Sequence, residues 1–390
     1  MNSTRIAPGI AAIAPAMIEL RRAIHAEPEL GFEEFATRRR VIEQLQAWGY
    51  EIQEMAGTAV IGTLRNGSGP VLGLRAELDA LPIQENSGQP WSSQSAGKMH
   101  ACGHDGHTAM LLAAACELAR ERSWRGTLHL FFQPAEEGHG GSGAKRMLDE
   151  GMLQRFPCDA LFAMHNLPGL AAGRFMVLPG PCMASSDTVT IRLHGRGGHG
   201  AMPELTVDPI VAGASLVMAL QSLVSRNVAP SQAAVVTVGA FQAGEASNVI
   251  ADEAELRLSL RALNPEVRRL LRRRVQELAE QQASSFGARA EVLVDEGYPV
   301  LVNDPACAQL ARELVLDWLG EEGLLPDPQP ILASEDFAFW LERALGCYVL
   351  IGNGEGEGGC SVHNPGYDFN DQILAQGATF WVRLAQRFLA

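Results

Sequence analysis

Apolar residues follow two textures along this chain. In the first and last parts, helical spacing alternates with short β-rich runs. Glu19 to His25 and Glu33 to Trp48 space their apolar positions as helices do, with Glu27-Pro28-Glu29-Leu30-Gly31 breaking between them. Thr58 to Leu64 and Pro70 to Leu74 read as strands flanking an Asn66-Gly67 turn. Asp105 stands where a helix N-cap belongs, ahead of the Ala/Leu-rich run Thr108 to Arg120. Gly126 to Phe132 and Ala160 to Met164 are apolar runs that end in polar clusters: Gln133-Pro134-Ala135-Glu136-Glu137-Gly138 and His165-Asn166. Strand, polar cluster and helix recur in that order. This predicts an α/β fold whose site gathers beyond the carboxyl ends of strands.

Near residue 183 the texture changes. Thr188 to Leu193 alternates like a half-buried strand, Val207 to Ser222 reads as a helix, and Ala233 to Val238 and Glu255 to Leu260 read as strands. Glu266 to Ser285 is a helix whose basic face (Arg268, Arg269, Arg272, Arg273, Arg274) is expected to be solvated, and Arg289 to Val294 is a strand. Two helices on a small antiparallel sheet predict an inserted α+β domain at 184–296, which leaves 1–183 and 297–390 as one discontinuous catalytic domain. After Tyr298-Pro299, Pro305 to Trp318 and Asp371 to Leu389 read as helices and Cys347 to Ile351 as a strand. Five glycines between Gly352 and Gly359 predict a flexible loop beside His363.

Composition narrows the class. A chain of 390 residues exceeds one ordinary core, and 47% hydrophobic content suits a globular enzyme. A net charge of -14 disfavours nucleic acid and anionic membrane as partners. The apolar run Ile10 to Met17 is short and lacks the basic leader of a signal peptide, and no stretch reads as long enough to span a bilayer. Seven scattered cysteines argue against a disulfide framework and predict a reducing, cytoplasmic setting.

The densest chemistry lies in Met99-His100-Ala101-Cys102-Gly103-His104-Asp105-Gly106-His107. Thiolate and imidazole together suit zinc and its neighbours. With Glu136/Glu137, His165 and His363, the chain offers sulfur, nitrogen and carboxylate donors, enough for two divalent ions in a shared site. Successive side chains on extended backbone diverge, so one of the adjacent glutamates can bind metal while the other serves as general base. Asp79 is a candidate carboxylate for holding a ligand imidazole in one tautomer. His107 is open between a ligand and a core residue. In the insert, the glycine-rich loop Gly195 to Pro203 presents His199, a candidate for the oxyanion of a tetrahedral intermediate. Asn248 and Arg261 are candidates for holding a substrate carboxylate.

These motifs together resemble the dinuclear metal amidohydrolases of the hippurate hydrolase, N-acyl-amino-acid deacylase and auxin–amino-acid conjugate hydrolase type. The likeness runs from Arg21-Arg22-Ala23-Ile24-His25-Ala26-Glu27-Pro28-Glu29-Leu30 through Met99 to His107, Pro134 to Gly138 and Met164-His165-Asn166. It continues through Gly197 to Pro203, Ser334-Glu335-Asp336-Phe337 and His363-Asn364-Pro365. The resemblance implies a zinc-peptidase-like catalytic domain with an inserted lid or dimerisation domain, and a homodimer or higher homo-oligomer. It implies Cys102, His104, Glu137, His165 and His363 as metal ligands and Glu136 as general base and acid. It implies His199 at the oxyanion, in its own or a neighbouring subunit. Two divalent ions are implied, with zinc first and manganese, nickel or cobalt as substitutes. The implied substrate is an N-acyl amino acid (N-acetyl, N-benzoyl or indoleacetyl).

Two positions depart from the family pattern. Glu77 stands where relatives usually carry Asp, and Glu204 where His commonly follows Met-Pro. Two other readings compete: a metallo-dipeptidase or aminopeptidase acting on free peptides, and a non-catalytic metal or ligand carrier. The presence of Glu136 argues against a carrier, which needs no base beside metal-bound water.

Overall fold

The first helix begins well ahead of the stretch, Glu19 to His25, whose apolar spacing predicts it. In the computed structural model, which describes residues 6–354 and 360–390, helix α1 runs from Pro8 to Ala26. Pro8 sits in its first turn, where a missing N–H leaves nothing unpaired. The apolar run around Ile10, Ala14 and Met17 is its buried face. Helix α2, Phe35–Ala47, is capped from outside: the Glu29 carboxylate accepts the N–H groups of Ala36 and Thr37 at 2.9 Å. Most of the predicted glycine-rich loop, residues 355–359, lies outside the described residues.

The chain forms two compact units. The first comprises Met1–Gly180, Val302–Gln329 and Phe339–Ala390. Its sheet contains β1 (Glu51–Met55), β2 (Ala59–Asn66), β3 (Val71–Glu77), β4 (Gly126–Gln133), β5 (Ala160–Pro168), β6 (Phe175–Met176) and the strand Gly346–Gly354. The order is β1-β2-β4-β3-β5, then Gly346–Gly354, then β6. β4, β3, β5 and Gly346–Gly354 run parallel, with antiparallel strands at both edges.

The two strands that flank the Asn66-Gly67 turn are not neighbours in the sheet: β4 inserts between β2 and β3. β3 is buried along nearly its whole length, so it needs a partner on each side. Helix α3 begins at His104, not Thr108, and its N-cap is Gly103 in the left-handed region at φ 94°. Asp105 therefore lies inside the first turn, not at the cap. There its buried carboxylate meets the His25 ring at 2.9 Å and Arg21 at 3.4 Å. α3 packs against α1, α2 and the helix Leu374–Phe388, closing a core of Leu111, Leu112, Leu118, Phe162, Phe380 and Trp381.

The second unit comprises Pro181–Leu301 and Pro330–Ala338. Its four-stranded sheet is antiparallel, in the order Ala234–Ala243, Glu253–Ala262, Ser185–His194, Arg289–Glu296. Two helices pack on it, Pro209–Asn227 capped by Asp208 and Pro265–Ser285 capped by Asn264. Ala212, Leu216, Leu220 and Leu223 of the first meet Val267, Leu271 and Val275 of the second in one core.

The basic face of Pro265–Ser285 is less solvated than expected. Arg268 reaches the buried Asp187 with two hydrogen bonds, at 2.9 and 2.6 Å. Arg272 pairs with Glu296, and Arg274 with Glu277. The sequence reading of spans also needs correction: Pro209–Asn227, at 19 residues, is long and apolar enough to cross a membrane by length and composition. Here it lays its apolar side on the sheet.

Candidate metal centre

The strand ends of the first unit bring the donor residues together. β4 stops at Gln133, and Pro134 cannot continue a ladder. Ala135 then turns left-handed at φ 49°, a conformation that costs an alanine about 1–2 kcal/mol. That turn sends Glu136 and Glu137 in different directions. β5 carries His165 and Asn166 at its carboxyl end, and the approach to α3 carries Cys102. A side chain at Gly103 would sit 2.2 Å from Oδ1 of Asn166, so only glycine lets these two segments meet. His363 is also left-handed, at φ 65°, with its N–H donating to the Ala101 carbonyl at 2.7 Å.

Of the five groups among the described residues whose donor atoms all lie within 4.8 Å of one another, three are built only from the proposed ligands and Glu136. They are Cys102/His104/His165, Cys102/Glu137/His363 and His104/Glu136/Glu137. Cys102 Sγ lies 3.2 Å from Nε2 of His165, whose Nδ1–H donates to the Asn166 carbonyl at 2.7 Å. His104 Nδ1 faces the Asp79 carbonyl at 2.9 Å and carboxylate at 3.2 Å. Its Nε2 is buried without a hydrogen-bond partner among the described residues, 3.9 Å from Glu136 and 4.0 Å from Glu137. His363 Nε2 lies 3.1 Å from Glu137 Oε1. Asp79 also accepts the Glu137 N–H at 2.9 Å, so one carboxylate orients both a ring and a loop.

The electrostatics ask for a cation. Burial, then Glu137 and Glu136, push the Cys102 thiol well above its usual range. Burial alone would lower the His104 ring, but Asp79, with Glu77 and Glu137, outweighs it and raises the ring to about 10. The group therefore draws positive charge in. A divalent ion satisfies that demand and deprotonates a coordinating thiol. The orphaned His104 nitrogen and the S/N/O donor set both fit such an ion.

Behind the donors lies a second layer that the motifs alone did not explain. His107 spans two partners, with Nδ1 2.9 Å from Glu77 and Nε2 2.7 Å from the Asn166 side chain. It stands in a further group, Glu77/His104/His107, which shares His104 with one Cys102 group. Asn166 in turn donates to the Tyr367 hydroxyl at 2.7 Å. Glu77, the departure from the family pattern, also pairs with Arg75. Burial would push Glu77 up, but Arg75 and then His107 hold it well below the usual carboxylate range.

His199, Asn248 and Arg261 stand in the second unit. His199 is exposed on a two-residue strand paired with Val249–Ile250, and its Nδ1 accepts the Ala201 N–H at 3.0 Å. Asn248, also exposed, accepts the Gly200 N–H through its carbonyl at 2.8 Å, so the two residues share one ribbon. Arg261 is half-buried and donates to Ser334 Oγ at 2.9 Å.

Comparison with known proteins agrees with this chemistry. The model of peptidase family M20/M25/M40 matches residues 73–387. Hippurate hydrolase of Campylobacter jejuni is 42% identical over 373 residues, covering 95% of this chain and 96% of its own. N-acetyl-L-cysteine deacetylase of Bacillus subtilis is 37% identical over 376 residues, covering 96% and 88%. A Bacillus subtilis crystal structure, described as a dinuclear metal-binding peptidase of family M20, superposes with a TM-score of 0.84 at 33% identity, covering 97% and 99%.

Proposed function

This chain belongs to peptidase family M20/M25/M40, and on that premise we propose that it hydrolyses the amide bond of N-acyl amino acids. The products are a carboxylic acid and a free amino acid. The observation that carries the reading is the buried His104 Nε2, orphaned among thiol, imidazole and carboxylate donors beside Glu136. The hydrolase relatives named above support the acyl–amino-acid substrate class.

Cys102, His104, Glu137, His165 and His363 would hold two divalent ions, zinc first among them. Bound there, such ions polarise a carbonyl and make water acidic. Glu136 takes the proton of the attacking water on a carboxylate oxygen and returns it to the leaving amine. Asp79 keeps the His104 ring oriented with Nε2 available. His199 donates to the oxyanion. Asn248 and Arg261 hold the carboxylate of the amino-acid half. The chain works as a homo-oligomer, most simply a dimer, in the cytoplasm.

The test is a panel of N-acetyl, N-benzoyl and indoleacetyl amino acids, with matching dipeptides, read by mass spectrometry. Metal-dependent release of free amino acid from the acyl substrates, abolished by chelator, is expected. Cleavage of the dipeptides alone would replace this reading with a peptidase. No release from protein holding about two metals per chain, the content of a paired site, would replace it with a carrier.

A further inference from the structure

Glu34 occupies the N-cap position of α2, yet its side chain makes no capping bond. Glu29 serves that helix instead. The Glu34 carboxyl group is fully buried and crosses to another part of the chain. One oxygen accepts the N–H of Ala135 at 2.9 Å, and the other meets the Thr58 hydroxyl. Ala135 is the left-handed residue from which Glu136 and Glu137 diverge. Its surroundings are tight: a side chain at Gly31 would come within 2.8 Å of the Ala135 methyl group. On the far side of the turn, Asp79 accepts the Glu137 N–H at 2.9 Å. Two buried carboxyl groups thus grip the backbone of residues 135–137 from either end.

We propose that Glu34 is a positioning residue, whose carboxyl group clamps the left-handed Ala135 so that Glu136 and Glu137 are aimed into the metal group. This rests on the reading of Glu136 as base and Glu137 as ligand. What the clamp needs is reach and an acceptor, not charge. Burial, then the nearby Asp79, push the Glu34 carboxyl up to about 7, so its neutral form is within range of ordinary pH. The carboxyl group accepts the Ala135 N–H on one oxygen and the Thr58 hydroxyl on the other. A glutamine keeps the acceptor for Ala135 on its carbonyl oxygen and meets Thr58 through its amide N–H, the hydroxyl turning to accept; an aspartate, one methylene shorter, cannot span both partners.

The experiment compares Glu34→Gln with Glu34→Asp. Zinc affinity is read by chelator competition, and kcat and KM on metal-saturated, folded protein. In Glu34→Asp, zinc affinity and kcat should each fall about tenfold or more, the range for losing support behind a metal ligand, with KM nearly unchanged. Glu34→Gln should keep both. A purely structural role would lower the melting temperature of Glu34→Asp and leave affinity and kcat per folded molecule intact, which overturns the proposal. Retention in Asp with loss in Gln overturns it in favour of charge.

If Glu34→Asp does not fold, the wild-type protein decides. Slow hydrogen exchange at the Ala135 amide is expected, and free-loop exchange there overturns the clamp. Glu136→Gln is measured alongside. Turnover in that variant removes Glu136 as the base, while the zinc-affinity result still judges Glu34 by itself.

Discussion

The two units hold their candidate residues in opposite ways. In the first, two of the three proposed ligand rings have a partner behind them: Asp79 behind His104, and the Asn166 carbonyl behind His165. Glu77 and Tyr367 in turn hold His107 and Asn166. Most of these groups are fully buried, where an unmet polar atom is expensive, so each has one arrangement. In the second, His199 and Asn248 lie exposed on a ribbon of two-residue strands. Arg261 leans on Ser334, a hydroxyl it can leave at little cost. The first arrangement is set before substrate arrives. The second is held by fewer and more exposed contacts.

The largest effect separates chemistry from assembly in the first unit. Glu136→Gln keeps the shape of the side chain and removes its basicity. Turnover should fall by about 10²–10⁴-fold, the usual contribution of a general base. Metal content by elemental analysis should stay at the wild-type level, because the five proposed ligands remain. Near-normal turnover would remove Glu136 from its role. Next is His199→Ala. If the exposed ribbon supplies an oxyanion donor, kcat should fall by about 10²-fold, with metal content and melting temperature unchanged. An unchanged kcat would strip the ribbon of a catalytic part.

The contrast also explains what was legible in the sequence. The donors sit in short motifs because each strand end presents its residues locally, so Cys102, His104, Glu136, Glu137 and His165 stood out. Apart from the Asn166 carbonyl beside His165, their supports are contributed from afar. Asp105 has the form of an N-cap, but His25 and Arg21, some 80 positions away, draw it into the core, and Gly103 takes the cap instead. Glu34 sits 101 positions from Ala135, and its local setting suggests only a helix start. The Asn66-Gly67 signal was real as a turn, since Gly67 has φ 79°, but it does not say which strands pair across it. In the second unit the two-residue alternation predicted the antiparallel sheet well. The proposed roles of Asn248 and Arg261 had no comparable signal, because one residue is exposed and the other only half-buried, and neither follows a motif.

The buried support can be tested through pH. Burial would lower the His25 ring, but Asp105 and then Glu85 outweigh it and raise it to about 10. Unfolded, the ring titrates near 6.5. A raised folded value means stabilisation that is complete below pH 6.5 and fades as pH climbs through about 10. Between pH 7 and 9 the loss should be on the order of 2 kcal/mol. All six tryptophans fall within the first unit, so their fluorescence reports on that unit. In denaturant melts, His25→Gln should be less stable than wild type at pH 7 and show a flatter decline toward pH 9. Parallel declines in the two proteins would mean that His25 gains no proton on folding.

The smallest effect probes the sparsely held side. Arg261 is half-buried, and burial pulls its pKa down, yet a guanidinium stays charged at any working pH. It therefore brings an intact, planar donor fork to a carboxylate. Lysine keeps the charge and loses the fork. Arg261→Lys should raise KM for an N-acyl amino acid about tenfold, close to 1.4 kcal/mol, and leave kcat nearly unchanged. An N-acyl amine lacking the carboxylate should not distinguish wild type from variant, because the contact removed was to that group. Ser334→Ala, which frees the guanidinium without changing it, should move KM less than Arg261→Lys does. A variant with unchanged KM would place carboxylate recognition elsewhere and leave Arg261 as a strand residue tied to Ser334.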